Sequence, residues 1–207
     1  MFGQQIVSSL DKFLKGILNI AWLNLLWIFS SLLGLFIAGV FPATVASLAV
    51  ARKWVRKEEM TSVLQYFRKV YKEEFVRSNI IGWILMAIGL ILFVNYRAMI
   101  ELGNQIPIFV VFAYYLVLFF YSLVLVWIFP LITHYHTTIK QYFKNAFIIG
   151  MSKLPFSLAI FAVIFLICYV SLELPSMFVF ITFGLTAITM MFFVMQVFNK
   201  IDEHSYR

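Results

Sequence analysis

Five long apolar stretches alternate with short polar ones, and their lengths predict membrane-spanning helices at residues 17–41, 80–96, 107–130, 155–174 and 176–198. Roughly 20 apolar residues in a helix cross a hydrocarbon core of about 30 Å. Between the first two stretches the pattern changes. Leu64, Phe67, Tyr71 and Phe75 recur at three- and four-residue intervals, with Arg68, Lys69, Lys72, Glu73 and Arg77 on the remaining faces. Such spacing predicts an amphipathic helix lying along a surface. Ser62 and Gln65 have capping-box spacing and place its start.

Upstream, Pro42 can open a new helix while stopping the old one from continuing unbroken, and residues 43–57 read as a second, partly amphipathic helix. That helix ends in Arg52, Lys53, Trp54, Val55, Arg56 and Lys57, basic side chains with an indole that suit a headgroup surface. Residues 43–77 are therefore expected to form a cytoplasmic amphipathic region. One ambiguity stays open. Apolar character runs on from Ile17 to Ala51, and Gly34, Gly39 and Pro42 admit a hairpin dividing near Leu33 in place of one span over 17–41.

Hydrophobic residues make up 63% of the chain and charged residues 12%, against roughly 45–50% and 25% in ordinary soluble domains. That balance excludes a soluble fold. The predicted class is all-α: a single polytopic helical membrane bundle over residues 1–207, with about five transmembrane helices plus cytoplasmic amphipathic helices. The net charge is +7, but the basic residues flank spans and form no nucleic-acid motif. Anionic headgroups are the expected partner, and nucleic acid is not.

Charge placement then orients the chain. With five alternating spans, Arg52 to Arg77, Lys140, Lys144, Lys153, Lys200 and Arg207 share one side, while only Lys12, Lys15 and Arg97 fall on the other. Lys and Arg concentrate in cytoplasmic loops. The expectation is a multi-pass protein of the cell membrane with residues 43–79 and the C-terminus cytoplasmic.

Candidate chemistry is sparse. Cys168, the only cysteine, excludes disulfides within the chain and falls inside the fourth stretch, where it reads as a small core residue. His134 and His136 point apart if helical, and no acidic residue lies between them and Glu173, so no metal site is expected. Phosphate-loop, nucleophile-elbow and metalloprotease motifs are absent. The reading is a protein that is not an enzyme and has no cofactor. Polar residues inside spans are costly without a partner, and Asn24, Asn95 and Gln196 are the candidates for an intramembrane pathway in a small transporter or channel. The alternative site is the docking region itself: Arg52, Lys53, Trp54, Arg56, Lys57, Leu64, Phe67, Tyr71 and Phe75.

Leu23-Asn24-Leu25-Leu26-Trp27, Gly34, Phe41-Pro42-Ala43-Thr44 and Arg52-Lys53-Trp54 resemble the YesL family of small bacterial membrane proteins, as do Phe67, Tyr71-Lys72, Glu74-Phe75 and the stretch from Asn145-Ala146 to Leu154-Pro155. The likeness covers nearly the whole chain and is strongest over residues 23–78. It implies a polytopic membrane protein of unestablished activity, with no catalytic residues to carry over. It also implies an accessory role in carbohydrate uptake or sensing, with a sugar transporter or another membrane protein as partner.

Overall fold

The structure is a computed structural model that describes residues 2–205, apart from the side chains of residues 2–9, 12, 13, 104, 204 and 205. The expectations for Lys12 and Arg207 fall on side chains outside the described residues. Nine α-helices and no strands form among the described residues: α1 (Phe2–Leu33), α2 (Val40–Val55), α3 (Val63–Glu73), α4 (Phe75–Leu102), α5 (Ile108–His134), α6 (Ile139–Ser152), α7 (Leu154–Glu173), α8 (Pro175–Phe180) and α9 (Thr182–Ser205). Five segments are long and apolar enough to cross a membrane: Leu14–Leu33, Phe75–Leu102, Ile108–His134, Leu154–Glu173 and Thr182–Glu203. The all-α membrane-type bundle is therefore what forms.

The first stretch does not run on to Phe41. Helix α1 stops at Leu33 and the chain reverses through residues 34–39, so the hairpin reading holds and a single 17–41 span does not. Close backbone approach explains why. A Cβ on Gly39 would lie 2.5 Å from the Ser31 carbonyl oxygen, and one on Gly34 would lie 2.4 Å from the Gly39 Cα, so only glycine fits where the two arms meet. Trp27 Nε1 donates to Thr44 Oγ1 at 3.0 Å. Pairing 31 with 39 and 27 with 44 makes α1 and α2 antiparallel.

Nor is α2 a surface helix. Every residue from Pro42 to Ala51 except the half-buried Thr44 is buried, and of these only Ser47 is polar. Short side chains such as Ala43, Ala46, Ala49 and Ala51 let α1, α3, α4, α5 and α9 all pack on it closely. Residues 43–51 therefore belong to the core and not to an amphipathic surface region. The hairpin tip meets α4 in its first two turns: Asn79 Nδ2 donates to the Ala38 carbonyl at 3.0 Å, and Phe41 lies on Gly82, where a Cβ would come within 2.3 Å of the ring.

Other boundaries also move. Helix α4 extends the predicted 80–96 span at both ends, and α5 continues through Pro130 to His134, although the proline has no N–H to offer the Val126 carbonyl, and only about one more turn follows it. The predicted 176–198 span is broken. Pro175 opens the six-residue α8, the backbone departs from helix at Ile181, and α9 begins at Thr182. Cys168 is exposed on α7 and not in the core.

Candidate docking surface

The C-terminal end of α2, all of α3, the start of α4 and the ends of α5 and α9 converge at one end of the bundle. Arg52 ties two of them together: its Nη1 donates to the Thr133 carbonyl, one of the last α5 carbonyls, which have no intrahelical donor. Lys53 Nζ lies 4.7 Å above the Tyr66 ring, a cation–π contact that joins α2 to α3. Trp54 is half-buried against the core. Arg56 Nε pairs with Glu58 Oε1 at 2.8 Å.

Helix α2 then ends in a Schellman motif. Glu58 N–H donates to the Lys53 carbonyl at 2.9 Å and Lys57 N–H to the Trp54 carbonyl at 3.1 Å, with Lys57 left-handed at φ 55°. This position favours glycine, and a non-glycine residue there costs about 1–2 kcal/mol. Lys57→Gly is expected to stabilise the protein by about 1 kcal/mol, read as a rise in the thermal midpoint in detergent.

Ser62 caps α3 as the sequence predicts, accepting from Gln65 N–H at 3.5 Å. The apolar stripe, however, turns inward. Phe67 is buried, Tyr71 Oη donates to the Ser30 carbonyl at 3.2 Å, and Tyr71 packs against both Phe67 and Phe75. Burial pushes the Tyr71 hydroxyl above its ordinary pKa and keeps it a donor. Only Leu64 of the four is exposed, at 46%. Phe67 and Tyr71 therefore hold α3 on α2 and α1 and are not a membrane-docking face. The cations face outward: Arg68, Lys69 and Lys72 on α3 are exposed, as are Arg56 and Lys57 at the end of α2. Lys69 and Glu73 stand 3.9 Å apart with both side chains more than half exposed, a weak pairing.

The histidines separate. His136 is exposed at 81% beside Glu74, whose buried carboxylate also holds Arg77 Nη1 at 3.1 Å. His134 turns the other way, its Nε2 donating to Asp202 Oδ2 at 3.0 Å. Tyr135 Oη donates to Asp202 Oδ1 at 2.7 Å, and burial, then the bond to Asp202, raises its pKa far above the ordinary tyrosine value. Asp202 thus latches the end of α9 to the end of α5. Nothing in the sequence pairs residues so distant, and Asp202 sits beside Glu203 in a short tail of mixed charge that gives no hint of the pairing.

Beside the latch lies a groove of about 460 Å³ between the ends of α5 and α9, α6 and Lys153, the residue before α7. A smaller, almost wholly apolar cavity of about 260 Å³ sits deeper, against Trp27, Leu48, Phe129 and Phe183.

Asn24, Asn95 and Gln196 line neither space. Asn24 is fully buried and spent on backbone groups at the α8–α9 break: Nδ2 donates to the carbonyls of Phe178 (3.3 Å) and Val179 (2.6 Å), and Oδ1 accepts from Phe183 N–H (2.7 Å) and Gly184 N–H (3.2 Å). Asn95 is exposed and donates to the Ile91 carbonyl of its own helix, and Gln196 is exposed on α9. The three are not brought together.

Residues 20–96, which include the hairpin, α3 and most of α4, match the family described as Protein of unknown function, DUF624. Three uncharacterized proteins of Bacillus subtilis (strain 168) are similar over much of their lengths. YteU is 32% identical over 93% of this chain and 86% of its own, and YesV is 30% identical over 98% and 97%. YesL is 29% identical over 72% and 69%. No solved structure matches.

Proposed function

The chain belongs to this DUF624 family of proteins of unknown function, and from that premise we propose that it is a non-enzymatic accessory protein of the membrane whose α2–α3 end is a rigid cationic docking platform. One observation carries the reading: Phe67 and Tyr71 of the apolar face of α3 hold it to α2 and α1, so Arg68, Lys69 and Lys72 stand outward on a fixed support, with Arg56 and Lys57 exposed at the end of α2. A cation held in place loses less entropy on binding than one on a loose loop. Anionic headgroups, worth about 1 kcal/mol per Lys or Arg near the surface, position this end. The remaining cations meet an acidic face of a partner membrane protein. The partner class we assign is a carbohydrate uptake system, the association that the family resemblance implies.

Reversing charge at Arg68, Lys69 and Lys72 to glutamate tests this. Surface substitutions of this kind move stability by only about 0.5 kcal/mol each, so the fold is expected to survive. Like-charge contact at an interface costs several kcal/mol, so co-purification of the partner in mild detergent is expected to fall by more than about tenfold. If the wild-type chain brings down no transport component and its deletion leaves sugar uptake unchanged, the proposal fails.

A further inference from the structure

The geometry points to a phospholipid-binding site in the groove beside the Asp202 latch, with the lipid phosphate held at Lys153 and an acyl chain along Ile148 and Ile149. This site is separate from the α3 platform. Its depth selects a membrane lipid: two candidate spans supply its walls near their ends, α5 finishing at His134 and α9 at Glu203, and Lys153 directly precedes the span that starts at Leu154. Residues at such positions sit at headgroup level.

The lining has the matching chemistry. Leu131, Ile148, Ile149 and Ile201 make an apolar floor, while Asn145, Ser152 and Lys153 supply donors at the rim. Among the described residues no carboxylate lies within 4.0 Å of the Lys153 ammonium. The nearest acid in the lining, Asp202, already has one carboxylate oxygen bonded to His134 and the other to Tyr135. The floor is also continuous with exposed apolar surface, since Ile148 itself is exposed together with Phe147 and Met151 of α6. A lysine free of ion pairs at the junction of helix ends, with an apolar flank beside it, can recognise a lipid phosphate, the one lining carboxylate being bonded to His134 and Tyr135.

Native mass spectrometry of the full chain, released from nanodiscs of mixed phosphatidylethanolamine and phosphatidylglycerol into a phosphate-free maltoside detergent, tests the site. One phospholipid adduct is expected to survive on the wild type. Lys153→Gln should lower its occupancy about fivefold, the effect of one lysine near the headgroups. The Lys153 main chain is fixed independently of its side chain, its N–H donating to the Ile149 carbonyl and its carbonyl accepting from Ser157 N–H, so the fold should persist. Should that variant fail to fold, Ser152→Trp, made at an exposed position on the rim, fills the groove and should also expel the lipid. A wild type carrying no phospholipid, a detergent adduct in its place, or occupancy unchanged in a folded variant overturns the assignment.

Discussion

Asn24→Leu is expected to cost at least about 3 kcal/mol, because one side chain serves four backbone groups that have no other partner in reach. The carbonyls of Phe178 and Val179 lie at the end of α8, and the N–H groups of Phe183 and Gly184 lie in the first turn of α9. These are the groups that a helix terminus leaves unpaired. Water satisfies them in a soluble protein, but inside a bilayer nothing does, so a break within a span needs a polar side chain from elsewhere. The loss should lower the thermal midpoint in detergent by roughly 6–12 °C for a chain of this size. Asn24→Asp is a sharper control. It keeps an acceptor for Phe183 and Gly184 but sets a carboxylate against two carbonyls, so it should not rescue. A wild-type midpoint in either variant would show that the break is held by other means.

Gly184→Val is expected to have a comparable effect by a different route. A Cβ at residue 184 would stand 2.5 Å from the Ile20 carbonyl oxygen and 3.2 Å from Ile20 Cγ2. The first obstacle is main chain, which cannot rotate away, so α1 and α9 must separate. Overpacking alone costs about 1–3 kcal/mol, and the separation would also lengthen the Asn24 bonds made one helical turn along α1. The two substitutions should therefore be less than additive by about 1–2 kcal/mol. Measuring thermal midpoints for both single variants and the double variant tests this coupling, and strict additivity would mean that close approach and the Asn24 bridge act independently. The stacking of Trp27 on Phe183, with centroids 3.6 Å apart, marks the same crossing and gives a fluorescence reporter near it.

Much of the architecture is legible from hydropathy. Five spans, the Ser62 cap and the clustering of basic residues between the first two spans all follow from local pattern, since length, capping chemistry and charge are read within a few residues. What local pattern misses depends on distant partners. An unbroken apolar run looks the same whether it crosses or turns back, so the reversal at Gly34 and Gly39 is only one of two readings until backbone contact selects it. Periodicity finds the stripe of Phe67, Tyr71 and Phe75 but cannot say whether lipid or protein covers it, because both are apolar. Here Ser30 and α2 cover it. The same limit applies to polar residues. Asn24 is rightly singled out as costly, but whether it lines a path or caps a helix is decided by residues 178–184. Asp202, which anchors His134 and Tyr135, gives no signal in the sequence at all.

The outward position of Cys168 has a practical result. As the only thiol in the chain, on the outer side of α7 and away from every contact discussed above, it accepts a single nitroxide or fluorophore in the native sequence. A label there would report the immersion depth of α7 directly and supply a fixed reference point for measuring how far the α2–α3 end lies from the bilayer centre.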